Sequence, residues 1–586
     1  MIRISQIKLP CGSDRRELSR KIKKQLRLKS DETFRYRIVR HAVDARKKPE
    51  LYDVYSVDVE VKGEKQIVSR VRDKNVTLHR AAVYAFPKPD ENARPLKKRP
   101  VVIGSGPAGL FCALKLAENG YAPILLERGG SMEERVRTVE HFWKSGELDT
   151  NTNIQFGEGG AGTFSDGKLT TGVKDKTGRS DEVMRCFINA GAPEDIAYEN
   201  LPHIGTDLLR SVIVRLRSQI LENGGEVRFR STVTDILTEE VQAARVVGVR
   251  VSGPEGVYDL PTETVVLAPG HSARDTIRML YAKQIRMTQK NFAVGFRVSH
   301  PQSLVNGRQY GISDPQEMKK LGLPASSYKL TAQTGSGRGV YSFCMCPGGW
   351  IVNASSEQGR LAVNGMSDYA RDSARANSAI VMSVDAKDFG SEEVLAGLEF
   401  QEQLEERAYR LAEGRIPVEK YRDFANAGSM SADIRSESDP DTNDSALRRE
   451  GQSEGSDRAG LSEADGWVPL SDEEGRTLCL KGRSAYAPLH TLLPEQLTKD
   501  FITGMESFER IIPGYTGEEA YVAGLESRTS SPVRIERDRS CQASVSGLYP
   551  CGEGAGYAGG IMSAAMDGLR VAEAIGKQYY PGFKKA

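Results

Sequence analysis

The chain reads as an α/β protein: a doubly wound parallel sheet, interrupted by an α+β unit and preceded by a smaller α+β unit. Three observations predict this. A short apolar run, Val101-Val-Ile103, leads into Gly104-Ser-Gly-Pro-Ala-Gly109 and then into a helical stretch ending near Gly120. A second apolar run, Pro123-Ile-Leu-Leu, ends in Glu127, about 20 residues further on. The length, 586 residues, exceeds what one hydrophobic core usually supports, so two or three domains are expected.

Residues 1–85 precede these motifs and form the smaller unit. Ile2-Arg-Ile-Ser-Gln-Ile-Lys-Leu alternates like a strand, Ser13 or Asp14 caps a basic helix reaching Leu28, and Tyr36-Arg-Ile-Val-Arg and Val54-Tyr-Ser-Val-Asp-Val-Glu-Val are further strands. The order expected is βαββαβ, a ferredoxin-like arrangement. Residues 1–99 hold about 27 Lys and Arg against about 13 Asp and Glu, although the whole chain carries only +2. That excess is either a solvated basic face or a contact for RNA or for an electron-donor protein. The proline- and lysine-rich residues 86–99 read as a linker.

The first domain proper is expected over 100–290 and 515–578. In its fingerprint Gly104 permits the tight turn, Gly106 lets backbone N–H groups approach a pyrophosphate, and Gly109 lets the helix pack on the strand. Pro107 and Ala108 open that helix, whose unpaired N–H groups and dipole favour an anion. Glu127 is placed for a ribose hydroxyl, with Arg128 beside it, and the whole is a Rossmann-like fold. Ser131 and Glu134 have capping-box spacing for a helix carrying Arg135, a candidate cofactor contact. Five glycines then fall within Asn153-Ile-Gln-Phe-Gly-Glu-Gly-Gly-Ala-Gly-Thr-Phe-Ser-Asp-Gly-Lys168. They form either a surface loop or a cradle for a phosphate or ring, with Gly160, Ala161, Gly162, Thr163 and Lys168 as candidate contacts.

A helix over 207–223, strands at 226–233, 246–251 and 264–270, and the switch Ala268-Pro-Gly-His-Ser-Ala-Arg-Asp275 follow. The strands are expected to form one meander returning to the sheet, with Val233, Ala268, Pro269 and Gly270 near the cofactor at its carboxyl edge. The chain comes back to this domain at Val545-Ser-Gly-Leu-Tyr-Pro-Cys551, followed by Gly552, Glu553, a glycine-rich turn through Gly559, Gly560 and Ile561, and a helix over 562–577.

Residues 291–514 are expected to be a substrate or cap domain. Phe292-Ala-Val-Gly-Phe-Arg-Val-Ser, Val340-Tyr-Ser-Phe-Cys-Met-Cys and Gly349-Trp-Ile-Val-Asn-Ala alternate like strands, and helices fall near 393–412 and 495–509. Residues 426–466 are rich in Ser, Asp, Glu, Gly and Arg, a disorder composition.

The eight cysteines are scattered, no signal-peptide core opens the chain, and no span reads as transmembrane, which predicts a cytoplasmic protein with no membrane contact. Cys344 and Cys346 stand on one strand face, read as packing or a contact to the cofactor. No second pair or histidine completes a metal site. His271, Arg274, Asp275 and Arg528 lie beside the cofactor loops. His271 is the candidate for proton transfer and Arg528 for holding an anion or stabilising a reduced ring, against a structural role for both.

The fingerprint, the Ala-Pro-Gly switch and Gly552-Glu553 together resemble the FAD-binding fold of the glutathione-reductase superfamily, in the branch of p-hydroxybenzoate hydroxylase and the succinate dehydrogenase flavoprotein. There the last acid, usually aspartate, binds a ribityl hydroxyl; here it is Glu553, and Pro269 stands where threonine is usual. The phrases FGEGGAGTFSDGKL, FCMCPGGW, NGMS, RTSSPVRI and GEGAGYAGGIMSAAMDG resemble the bacterial NAD(FAD)-utilising, or FAD-dependent, dehydrogenases. The resemblance implies FAD as cofactor and an oxidoreductase passing a hydride through flavin N5 to or from a small-molecule substrate. The other reading is a flavoprotein that binds or modifies RNA through its basic first unit. No second GxGxxG opens a helix between Gly270 and Val545, so NAD(P)H is expected at most as a transient electron donor.

Overall fold

The computed structural model describes residues 1–80, 82–240, 244–436 and 466–582. Its first unit runs β1 (Ile2–Pro10), α1 (Arg15–Gln25), β2 (Arg35–Lys47), β3 (Glu50–Glu60), α2 (Glu64–Val71) and β4 (Val76–Leu78), with strands side by side in the order β2-β3-β1-β4. Ile2, Ile4, Ile7 and Leu9 alternate into a core with Leu18 and Ile22 of α1 and Val57 and Val59 of β3. Asp14 caps α1 by accepting from the Arg16 N–H at 2.8 Å. Residues 86–99 do not hang free. Arg94–Pro95 pairs with Tyr579–Tyr580, and the Asp90 N–H donates to the Lys577 carbonyl at 2.8 Å.

A five-stranded, all-parallel sheet follows, in the spatial order Leu548–Pro550, Val265–Leu267, Val101–Ile103, Ile124–Leu126, Glu226–Arg228. Val102, Leu125, Val266 and Tyr549 point to one face, under the helices Pro107–Glu118, Thr206–Glu222 and Ile561–Gln578. Val101, Ile103, Ile124, Leu126, Val265 and Leu267 point to the other. Both faces are covered, which is why the three inner strands are uninterrupted apolar runs. A Cβ on Gly568 would stand 2.2 Å from the Ala108 carbonyl oxygen, so the last helix crosses the phosphate-loop helix backbone to backbone.

The single meander expected across 226–270 is two structures. Glu226–Arg228 joins the parallel sheet, Arg230 then takes φ +53°, and Thr232–Glu240, Ala244–Gly253 and Gly256–Pro261 form a separate three-stranded antiparallel sheet. That turn redirects the chain out of the parallel sheet's plane.

The second unit is built on an eight-stranded sheet ordered Thr331–Gln333, Gly339–Cys346, Arg375–Val384, Phe292–Pro301, Tyr521–Glu526, Ile416–Lys420, Ser484–Tyr486, Val468–Pro469. It is antiparallel except where Ile416–Lys420 meets Ser484–Tyr486. Helices Ala396–Ala412 and Glu495–Glu509 cover it through Phe400, Leu404, Leu497, Phe501 and Phe508. Tyr521–Glu526, which a division at residue 515 assigns to the dinucleotide domain, lies inside this sheet between Phe292–Pro301 and Ile416–Lys420. Of the expected disordered stretch 426–466, the first residues continue the helix Tyr421–Ser436, and 437–465 lie outside the described residues.

Candidate functional site

A cavity of about 360 Å³ opens where the carboxyl ends of the parallel strands meet the second unit. One end is walled by Leu126, Glu127, Arg128, Ser231 and Val233, the middle by Gly104, Gly106, Pro107, Ala108 and 160–162, and the far end by Lys168, His271, Phe343, Cys344, Asn364 and Glu526.

The glycines around it divide into two kinds. Gly104 has φ +93°, and a Cβ on it would meet the Ala268 carbonyl oxygen at 2.3 Å; a Cβ on Gly109 would meet the Gly104 carbonyl oxygen at 1.9 Å. Those two serve packing, and Gly109 does not reach the cavity. At Gly106, φ is −67° and a Cβ would find nothing closer than Gly160 Cα at 3.9 Å. At Gly559 and Gly560 it would meet no chain atom within 4 Å, and all three line the cavity. Neither backbone strain at Gly106 nor packing at any of the three demands glycine, and each leaves open space in the cavity wall. A dinucleotide's pyrophosphate fits there, at the N-terminus of the helix Pro107–Glu118.

Glu127 lines the cavity, 4% exposed. Its Oε2 accepts from the Ser105 N–H and Oγ at 2.9 and 2.7 Å, its Oε1 from the Gly129 and Gly157 N–H groups at 2.9 and 3.0 Å. The carboxylate therefore ties three loops together at the cavity wall. Arg128 stacks over the Phe156 ring at 4.4 Å and donates to Thr276 and Asp275.

Arg135 is not a cofactor contact, for it does not line the cavity. Fully buried, it donates to the carbonyls of Asn153, Ile154, Glu158 and Gly160 at 2.6–2.9 Å, and burial brings its pKa down to about 10. The glycine-rich segment is wrapped around this guanidinium, which gives a polar loop its buried place without a hydrophobic core. Thr163 is likewise buried away from the cavity, accepting from Thr206 Oγ1 through its carbonyl at 2.8 Å. Gly552 lies behind the wall, its N–H held by Asp567 at 2.8 Å. Gly160, Ala161, Gly162, Lys168, Val233, Ala268, Pro269, Gly270, Glu553 and Ile561 are in the wall.

His271 and Glu553 face each other across 3.4 Å, Nδ1 to Oε1. Burial, helped by the cations of Arg528 and Arg274, pulls His271 down to about 3, so its ring is neutral. Burial pushes Glu553 up to about 7 despite Lys290. His271 Nε2 is buried and has no hydrogen-bond partner among the described residues. Arg528 also borders the cavity, but its Nε and Nη2 donate to Glu405 at 2.9 and 2.7 Å and its Nη1 to Ser356. Its charge is met inside the protein, together with Arg274, which donates to both Glu405 oxygens at 2.9 and 2.8 Å. The role of holding an anionic substrate is not supported by that geometry. Asp275 pairs with Arg128, away from the His271 ring.

The far wall was only partly legible. Cys344 lines it and Cys346 is buried behind. Asn364 and Glu526 come from strands far apart in the chain and both bond the buried Arg297, at 3.2 and 2.9 Å. Nothing local in the sequence marks them. Among the described residues no group of three or more His, Cys, Asp or Glu could hold a metal ion, and no helix is long and apolar enough to cross a membrane.

Residues 99–150 match the model of an FAD binding domain, and 291–450 that of the FAD-dependent protein C-terminal domain-like family. Residues 1–60 match a domain of unknown function. Over 578 residues, 98% of each chain, the sequence is 41% identical to an uncharacterised protein of Clostridium beijerinckii. The chain belongs to this family of FAD-dependent proteins. FAD is thus the cofactor, and the cavity beside the helix Pro107–Glu118 has room for it. Solved structures with some likeness include a geranylgeranyl bacteriochlorophyll reductase-like protein from Thermoplasma acidophilum, 10% identical, covering 81% of this chain and 77% of that one, TM-score 0.32. Another is the open conformation of a flavocytochrome c3 fumarate reductase, 11% identical over 84% of this chain and 78% of that one, TM-score 0.31. At such scores no detail transfers from either.

Proposed function

We propose that the protein is an FAD-dependent oxidoreductase passing a hydride between its flavin and a small molecule held at the cavity end walled by the second unit. The observation carrying this reading is the placement of the His271–Glu553 pair, with an unpartnered buried nitrogen, in the cavity that the bare glycines keep open. Bound FAD supplies hydride chemistry at N5. The chain supplies the rest. The N–H groups opening the helix Pro107–Glu118 hold the pyrophosphate, and Glu127 fixes the loops that position it. With Glu553 protonated and donating to Nδ1, His271 carries its own proton on Nε2 and donates outward; with Glu553 ionised, Nδ1–H donates to it and Nε2 accepts. One proton can thus be given or taken at Nε2 near neutral pH, where Glu553 titrates. Arg274 and Arg528, locked on Glu405, exclude a second positive charge from the imidazole.

The branch closest to p-hydroxybenzoate hydroxylase and the succinate dehydrogenase flavoprotein remains part of this proposal, as does a cytoplasmic location. The exposed basic residues of α1, among them Arg15, Arg16, Arg20, Lys21 and Lys24, are where RNA or an acidic electron-donor protein would bind, yet no cavity residue comes from that unit. The test is anaerobic flavin reduction by NADH, NADPH and a panel of small metabolites. At least one small molecule should bleach the flavin within seconds to minutes. NAD(P)H should bind weakly, because Gly335-Ser-Gly-Arg-Gly339 forms the turn between the hairpin strands Thr331–Gln333 and Gly339–Cys346, with no helix to hold a second pyrophosphate. A flavin that responds to dithionite and to no member of the panel contradicts the oxidoreductase reading.

A further inference from the structure

Behind the cavity wall contributed by the second unit lies a fully buried cation, Arg297 on the strand Phe292–Pro301. All five of its N–H groups are committed inside the protein. Nε donates to Glu526 Oε2 at 2.9 Å, and Nη2 to Glu526 Oε1 at 3.3 Å and to Asn364 Oδ1 at 3.2 Å. Nη1 donates to the Cys344 carbonyl at 3.1 Å and to Asn377 Oδ1 at 2.9 Å. Gly365 makes room for this arrangement, since a Cβ there would overlap the Arg297 guanidinium. Arg297 itself does not line the cavity, whereas Asn364 and Glu526 do. The arginine therefore holds two side chains at the wall from behind and has no N–H group left for a ligand.

A guanidinium only donates, so the Asn364 amide must turn its oxygen toward Arg297, and the Gly365 N–H reaches the same oxygen at 2.9 Å. The Asn364 Nδ2 group is thereby turned away from Arg297, and it makes no hydrogen bond among the described residues. Glu526, 4% exposed, accepts one Arg297 bond on each oxygen and has lone pairs to spare. Because both side chains touch the same Nη2, they stand next to each other in the wall, one offering a donor and the other an acceptor. Arg297 cancels the charge of Glu526, so this patch is neutral overall. A carboxylate would meet Glu526 and an ammonium would have Arg297 just behind, so the patch favours neither. The other cations in this part of the wall are also paired, Lys168 with Asp166 at 3.0 Å and Arg528 with Glu405 at 2.7 Å.

We propose that Asn364 and Glu526 bind an uncharged amide edge of the substrate: a lactam, imide or primary amide whose C=O accepts from Asn364 Nδ2 and whose neighbouring N–H donates to Glu526. This deepens the oxidoreductase reading and rests on it, since it takes FAD to fill the cavity and the substrate to lie at the second unit's end. Both residues belong to that unit, Asn364 to the strand Val363–Met366 and Glu526 to Tyr521–Glu526. A wall built to bond an N–H rejects the analogue lacking it, because the buried acceptor is then left without a partner. Methylating the ligand nitrogen should therefore weaken binding at least tenfold. The flavin's own pyrimidine ring carries an edge of the same chemistry, and the FAD content of a variant separates the two sources.

The test is a visible difference titration of the FAD-loaded, full-length protein with succinimide, N-methylsuccinimide and succinate at one pH and ionic strength. Succinimide should perturb the flavin bands saturably, N-methylsuccinimide should bind at least tenfold more weakly, and succinate should give no saturable change. Asn364→Asp keeps the acceptor that Arg297 and the Gly365 N–H need and removes the donor. It should retain FAD and lose at least tenfold in affinity for succinimide. Equal affinity for succinimide and N-methylsuccinimide, tighter binding of succinate, or no response of the yellow wild type to succinimide would each overturn the assignment, and none of these needs a variant to fold. So would an Asn364→Asp protein that folds and has lost its FAD, which would give the edge to the flavin ring. Failure of the oxidoreductase reading shows instead as a flavin that no member of the donor panel reduces, whatever the succinimide titration gives, so the two failures are distinguishable.

Discussion

Replacing Glu405 by glutamine should loosen the joint between the two units. Glu405, on the helix Ala396–Ala412 and fully buried, accepts from Arg274 at 2.9 and 2.8 Å, from Arg528 at 2.9 and 2.7 Å and from Ser527 at 2.6 Å. The two arginines are 3% and 5% exposed, and their remaining carboxylate, Glu357, is 3.0 and 3.7 Å away and a quarter exposed. Removing one partner of a buried ion pair costs about 3–5 kcal/mol, because the other charge is left without solvent or counter-ion. Glutamine keeps the shape and one acceptor oxygen, which places Glu405→Gln near the lower end, about 3 kcal/mol. At roughly 2 °C per kcal/mol for a large chain, FAD release followed by flavin fluorescence should begin about 6 °C lower than in the wild type. Arg528 borders the cavity, so the visible flavin spectrum should shift as well. A melting profile within about 1 °C of wild type would refute the claim that this triad holds the units together.

Three further outcomes are expected. His41 lies between Asp53 at 2.9 Å and Glu199 at 2.7 Å, and against a burial that lowers it these two acids raise its pKa to about 9. A raised folded pKa contributes stability that is complete below about 6.5 and lost as pH rises through 9, at most about 3 kcal/mol; limited proteolysis should therefore release the first unit faster at high pH, and His41→Gln should remove that dependence. The flavin midpoint potential should change slope near pH 7 where Glu553 titrates, and the change should vanish in Glu553→Gln; a potential with the same slope in both proteins would disprove the coupling. A chain starting at residue 82 should stay yellow, since every residue lining the cavity follows Pro100; a folded, soluble, colourless product would show that the first unit shapes the site.

What was legible in the sequence was local. The roles of Gly104 and Gly109, the Ser131 cap with its 3.5 Å bond from the Glu134 N–H, and the parallel strands follow from a few adjacent residues, because tight turns and helix starts admit few alternatives. Arg135 misled for a physical reason: a cation on the helix next to a phosphate loop looks the same in sequence whether it faces an anion or four carbonyl dipoles. Cys344 and Cys346 appeared equivalent because the period-2 rule assumes an unbroken ladder, and only the slip against Arg375–Val384 separates them. Arg297, Asn364 and Glu526 meet across three strands, and long-range convergence of that kind leaves no local trace. Tyr521–Glu526 lies after the helix that closes the second unit in sequence, yet it pairs inside that unit's sheet.

The central claim is that the spaces left by Gly106 and by Gly559-Gly560 are where FAD lies. It is tested most directly by the FAD content of Gly106→Val beside Gly172→Val, the latter a glycine outside the cavity wall where a Cβ also meets nothing within 4 Å. Both chains should fold, with circular dichroism and melting close to wild type, because no chain atom obstructs either side chain. Gly172→Val should carry FAD as the wild type does, and Gly106→Val should purify colourless, since its methyl groups fill the approach to the pyrophosphate. Full FAD occupancy in a folded Gly106→Val would contradict the account.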